Sequence, residues 1–170
     1  MANTYTLIAS NTLSSSAASV TFSAIPADYT DLVLRVSARD SADTPISAAS
    51  IRYNSDTATN YSFTRLDGDG SAAASSRSSN STAIGQALIE PSTYTANTFG
   101  SLELYIPSYT VSQNKPNGFF GVTENNATEA EIRAAAFLWR NTATISSILF
   151  IAPNNFVSGS SFFLYGISSS

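Results

Sequence analysis

Short apolar runs recur along this chain at intervals of roughly 10–15 residues, divided by clusters of Gly, Pro, Asn, Asp and Ser, a spacing that predicts a β-sandwich or barrel. The clearest alternation is Asp31 to Arg39, with Leu32, Leu34, Val36 and Ala38 on one face and Arg35, Ser37 and Arg39 on the other. Further strands are predicted at Thr4 to Ala9, Ser19 to Ile25 (closed by Pro26), Ser50 to Asn54 and Tyr61 to Leu66. Others are predicted at Thr82 to Ile89, Phe99 to Ile106, Gly118 to Thr123, Thr144 to Ile151 and Ser160 to Ile167. Turns are expected at Ser10 to Ser16, Asp40 to Pro45, Ser55 to Thr57, Lys115 to Asn117 and Pro153 to Gly159.

Two segments read less simply. Glu129 to Trp139 opens with helix-forming Glu and Ala but ends in Phe137-Leu138-Trp139. We read Ile132 to Trp139 as a strand whose small residues sit where another layer approaches. Asp67 to Asn80 is a Gly/Ala/Ser segment that looks the least ordered, expected as a surface excursion or an arm packed on a neighbour. Roughly nine or ten strands suit one all-β domain, 1–170, an antiparallel β-sandwich of jelly-roll type. Leu149-Phe150-Ile151 and Phe162-Phe163-Leu164 are apolar on both faces, which hints at strands covered from outside by another subunit.

Composition sharpens this picture. Charged residues make up 12% of the chain, about half the usual ~25%, and Ser and Thr together fill more than a quarter of it. Hydroxyl side chains suit strands better than helices, where they compete for backbone hydrogen bonds. A net charge of −4 with eight scattered Lys/Arg argues against nucleic acid as a partner. No apolar run approaches the ~20 residues of a membrane helix, and no basic, apolar leader opens the chain, so it is expected to start at or next to Met1 and to be made in a cytoplasm.

Without His or Cys, the usual nucleophile–base pairs and zinc sites are ruled out. Paired carboxylates could still hydrolyse glycosides, but most acids fall in expected turns, and only Glu103 sits within a clear strand, facing solvent. Asp67-Gly68-Asp69-Gly70 resembles part of a calcium loop, yet no Glu follows at the twelfth position; a Gly-rich turn after Leu66 is the simpler reading. Trp139 and the Tyr side chains could stack on sugars, although Trp139 more readily anchors a core or an interface. Asn60-Tyr61-Ser62, Asn80-Ser81-Thr82 and Asn126-Ala127-Thr128 match the glycosylation sequon, as chance allows in so Ser/Thr-rich a chain. No cofactor and no catalytic residue is expected.

Three segments carry a resemblance: SAIPADYTDLVLRVSAR (Ser23 to Arg39), IRYNSDTATNYSFTRLDGDGS (Ile51 to Ser71) and FLWRNTATISSILFIAPNNFVSGSSFFLYGIS (Phe137 to Ser168). They resemble a group of tailed-bacteriophage virion domains with an Ile-Pro-x-x-Tyr-Thr-x-Leu strand opening and an Arg-(Phe/Tyr)-Asn-x-Asp turn. That group closes with Asn-Phe-x-x-Gly-Ser-x-Phe-x-Leu-Tyr-Gly-Ile. The segment from Ala72 to Asn117 is the least constrained.

The resemblance implies a virion structural protein without enzymatic activity. The first expectation is a head decoration or cement protein, a homotrimer bound to the major capsid protein, because Met1 to Ser170 reads as one small domain without a fibre shaft. A tail or tail-fibre component that binds a host glycan is the alternative, and a phage glycosidase ranks last. Interface contacts are expected at Asp67, Asp69 and Arg77 of the Gly/Ala/Ser segment, and at Trp139, Phe150 and Phe162. Pro26, Asp28, Thr30, Asn54, Asp56, Gly159 and Gly166 read as residues that make turns and close approaches.

Overall fold

The structure, a computed structural model, describes residues 4–124, 126 and 130–168. Its twelve described strands are β1 (Tyr5–Thr12), β2 (Ala17–Phe22), β3 (Asp31–Ala38), β4 (Ser47–Tyr53), β5 (Tyr61–Gly68), β6 (Ala73–Ser81), β7 (Ile84–Ile89), β8 (Gly100–Ile106), β9 (Lys115–Thr123), β10 (Glu131–Trp139), β11 (Ile148–Phe156) and β12 (Ser161–Ile167). They form an all-β sandwich of two antiparallel sheets. One has eight strands in the order β1-β12-β3-β8-β9-β10-β5-β6, the other four in the order β2-β11-β4-β7.

Alternation decides which side chains face inward. In β3, Leu32, Leu34, Val36 and Ala38 are buried, while Arg35 and Ser37 reach solvent. Val33 breaks the pattern because Tyr165 and Tyr105 stand directly opposite it on either side of the outer face. Two aromatic groups join the sheets. Phe150 and Phe156 of β11 meet Phe162 of β12 with ring centres 5.1–5.7 Å apart. Tyr53, Tyr61 and Trp139, from β4, β5 and β10, meet at 5.5–6.4 Å. Each such ring pair adds about 0.5–1.5 kcal/mol beyond the area it buries.

Several expected boundaries move, each for a physical reason. The Asp67 to Asn80 segment is no surface excursion: β5 runs on to Gly68, a short turn follows, and β6 pairs with β5 from Ala73↔Gly68 to Ser81↔Tyr61. Asp69 holds that turn, accepting from the Ser71 and Ala72 amides at 2.8 and 2.6 Å. Lys115 to Asn117 belongs to β9 rather than to a turn. Pro116 is tolerated there because β8 pairs only with Gly118 to Val122, so its missing N–H leaves no gap on that side.

The Ala-rich stretch lies inside β10, which begins at Glu131; Glu129 is outside the described residues. Ala134 and Ala136 face solvent, so no layer of this chain approaches them. Strand β11 starts later than expected, at Ile148, and continues through Pro153 to Phe156 with a register shift after Ile151. The outer-facing side chains of β11 and β12, such as Leu149, Ile151 and Phe163, are half-buried.

Candidate binding surface

Residues of the three segments meet at two places, Tyr29 with Gly166 and Asn54 with Thr144 to Ser147, and Gly159 lies apart at the other end of β12. Tyr29 lies over Gly166: a Cβ on Gly166 would fall 2.3–2.5 Å from three atoms of the Tyr29 ring. Beside it, the Thr30 amide donates to the Ile167 carbonyl at 2.8 Å, tying the start of β3 to the end of β12. Asn54 and Ser55 both take positive φ (52° and 56°), and the Asp56 amide returns to the Tyr53 carbonyl at 2.9 Å. That is the geometry of a primed turn, here passing from one sheet to the other. From this turn Asn54 donates to the Thr144 carbonyl and accepts from the Ser146 and Ser147 amides at 2.8–3.1 Å. Gly159 takes a φ of +91°, a conformation that favours glycine.

Asp56 accepts from Trp139 Nε1 at 2.7 Å, Asn60 Nδ2 at 2.9 Å and the Ala58 amide at 2.8 Å. Burial raises its pKa, but these donors outweigh burial and hold the carboxylate below its ordinary value. All these groups are occupied in holding loops together.

Three cations are buried. Arg39 donates to the carbonyls of Ser92, Tyr94, Thr95 and Thr98 at 2.8–3.0 Å and so pins the connection between β7 and β8. Lys115 meets the Val111 and Gln113 carbonyls at 2.6 Å, and its burial lowers its pKa. Arg133 donates through Nε to Asp67 and through Nη2 to Glu131, both at 2.6 Å. Arg65 Nε lies 2.8 Å from the other Asp67 oxygen, an ion-pair contact without hydrogen-bond alignment. Burial, with the neighbouring Asp67 carboxylate adding to it, raises the Glu131 pKa against the opposing pull of Arg133. Period-two spacing of Glu131 and Arg133 on the inward face of β10 was a legible sign of this pair; the positions of Arg39 and Lys115 carried no comparable one.

The six interface residues expected from sequence are not brought together. Trp139, Phe150 and Phe162 are fully buried between the sheets, where a partner cannot touch them. Asp67 is turned into its ion pairs, Asp69 folds back over its own turn, and Arg77 is exposed on β6 opposite Thr64. A calcium role for Asp67 and Asp69 loses its geometry, and among the described residues no three acidic, His or Cys groups cluster to hold a metal. Glu103 faces solvent as expected, 2.8 Å from Arg35 Nε. Asp69 and Glu131, whose partners are given above, both border a recess of about 440 Å³ shared with Pro45, Ile46 and Tyr94.

The surface that stands out was not legible as a unit. Register places Tyr5, Leu7, Leu66, Tyr105, Phe120 and Ile132 on the outer face of the eight-stranded sheet. These are six of the eight exposed large apolar residues among those described. Between them run small residues, Gly118, Ala134 and Ala136. Arg35, whose guanidinium lies 5.7 and 5.9 Å from the Tyr5 and Tyr165 rings, is neutralised by Glu103. A groove of about 570 Å³ crosses this face, bordered by Phe163, Arg35, Glu103 and Phe120. The strands set its geometry: neighbours stand ~4.8 Å apart and every second side chain points outward.

No family model matches this chain, and no curated protein or solved structure matches it either.

Proposed function

We propose that the chain is a structural protein of a tailed-bacteriophage virion, a decoration or cement protein that stabilises the head through protein–protein contacts. The observation that carries this reading is the strand order. Leaving aside the hairpins β5–β6 and β9–β10, the sheets are β1-β12-β3-β8 and β2-β11-β4-β7. Eight strands arranged so, with the chain crossing repeatedly between sheets, support a jelly-roll reading, the plan used by viral capsid and lectin domains. The two hairpins then extend one sheet beyond its partner, in the order β9-β10-β5-β6. The resemblance of the three segments supports the phage assignment, and their residues spend their chemistry on holding the fold.

Attachment runs through the outer face of the eight-stranded sheet, where apolar side chains are exposed on a rigid, nearly uncharged surface. Strands of seven to nine residues across eight positions present a face of roughly 25 × 35 Å, on the scale of the ~800 Å² per partner of a standard interface. Homotrimers presenting several such faces would add effective concentration with each contact. The partner is the major capsid protein, and the chain, made in the bacterial cytoplasm, ends in the virion.

Purified protein added to heads that lack it tests this by co-sedimentation. The expected result is saturation at a fixed number of copies per head, little changed by moderate salt, because few charges are available to screen. Binding to isolated tails and not to heads would replace this reading with the tail-component one.

A further inference from the structure

The two described sheets end in four edge strands, β1 and β6 on the larger, β2 and β7 on the smaller. Three of these edges are blunted. A register shift between Leu7 and Ala9 breaks β1, β2 has only six residues, and Arg133 Nη1 donates to the Gln86 carbonyl of β7 at 3.2 Å. β6 is different. It runs for nine residues without Lys or Pro, and pairs with β5 in unbroken register from Ala73 to Ser78. All its side chains except Ser78 and Ser81 are exposed, so within this chain pairing with β5 is the main offset to the entropy of ordering it.

The turn before β6 fixes which groups that strand presents outward. The Asp69 amide donates to the Ala72 carbonyl at 3.3 Å, so Asp69 and Ala72 face each other as a hydrogen-bonded pair. Alternation along the register then turns the amides and carbonyls of Ala73, Ser75 and Arg77 away from β5, toward the open edge. The geometry points to a second copy of this chain as the occupant of that edge, its β6 running antiparallel to the first across a two-fold axis at Ser75. Ser75 then faces Ser75 of the second copy, and Ala73 and Arg77 face each other on either side of the axis. At each of these pairs the outward amides and carbonyls of the two strands meet.

Charge makes this edge complementary to itself. Arg77 is exposed and has no ion-pair or hydrogen-bond partner among the described residues. Asp69, also exposed, sits in the turn at one end of the same edge and binds that turn through one carboxylate oxygen, Oδ1. Pairing about Ser75 sets each Arg77 opposite Ala73 of the other copy, next to that copy's acidic turn, so both ends of the contact join opposite charges. The axis stands perpendicular to the sheet, so the outer faces of both copies lie on one side and stay open for attachment. The inference does not depend on the head assignment, since the pairing works equally on a head or a tail.

The test uses the full chain. Sedimentation equilibrium at ~100 μM should show reversible pairing of copies, as a small interface implies. Ser75→Pro removes an amide that points to the open edge and not to β5, so it should abolish the pairing and leave the melting temperature unchanged. Arg77→Glu sets like charges beside each acidic turn and should weaken the pairing about tenfold at low salt. The chain has no cysteine, so Ser75→Cys gives a direct readout. Residues across a hydrogen-bonded antiparallel pair stand ~5.5 Å apart at Cα, within disulfide range, and mild oxidation should link two copies. Ser14→Cys, in an exposed turn, should stay unlinked under the same conditions. Copies that remain single at ~100 μM, pairing that Ser75→Pro leaves intact, or equal cross-linking at both positions overturns the proposal. Head attachment is measured separately, and its failure would leave this pairing untouched.

Discussion

Replacing Gly166 by Ala probes the contact that joins the two ends of the resemblance. The new methyl carbon would lie 2.3, 2.4 and 2.5 Å from Cγ, Cδ2 and Cδ1 of Tyr29, where ordinary contact begins at 3.4 Å. The Tyr29 ring must therefore shift by about 1 Å from the place where it packs against the core. Overpacking of this kind costs about 1–3 kcal/mol. For a chain of this size that is a fall in melting temperature of about 3–10 °C. Tyr29→Ala alone loses the ring's packing, but in the double variant the methyl occupies space the ring has left. The double variant should therefore be more stable than the sum of the two single effects, by about 1 kcal/mol or more. Urea denaturation of all four proteins measures this cycle. A Gly166→Ala protein within about 0.5 kcal/mol of wild type, or strictly additive effects, would refute the close-approach reasoning.

Arg39→Lys keeps the charge but loses the planar fork that holds four carbonyls, so it should cost about 2–4 kcal/mol and speed amide exchange between Ser92 and Thr98; unchanged exchange there would count against the pin. Phe150→Ala opens a cavity beside Phe156 and Phe162 and should cost about 3–5 kcal/mol by chemical denaturation, whereas a change below about 1 kcal/mol would mean that the ring is not central to the core. For Glu131, burial raises the folded-state pKa above 4.5, so the folded chain holds that proton more tightly than the unfolded one. The stability this group contributes is present in full below pH 4.5 and is lost as pH rises through the raised value. Glu131→Gln should flatten the profile of melting temperature against pH in that range, and a profile parallel to wild type would contradict the assignment.

Alternation made β3 and β8 legible, because one face of each meets the core and the other meets water. It could not reveal β6, whose Ala and Ser side chains are nearly all exposed and whose strand character comes from pairing with β5. Pro116 hid the start of β9, since only the pairing pattern shows that β8 does not reach it. Phe150 and Phe162 were expected at an interface, and the structure buries them in the core, for a related reason. A run apolar on both faces does not say which side chain is inside, and the largest rings took the space between the sheets. Turn residues such as Asn54 and Asp56 were legible because their chemistry is local, although their partners at Thr144 to Ser147 and at Trp139 were not.

The central proposal, that this β-sandwich chain is a head decoration, is tested most directly by image reconstruction of the phage particle to which it is assigned. The account predicts density for the sandwich at repeated symmetry positions on the head, with the outer face of the eight-stranded sheet against the capsid. Density confined to the tail, or a head contact made by the four-stranded sheet with the apolar face left in solvent, would contradict it.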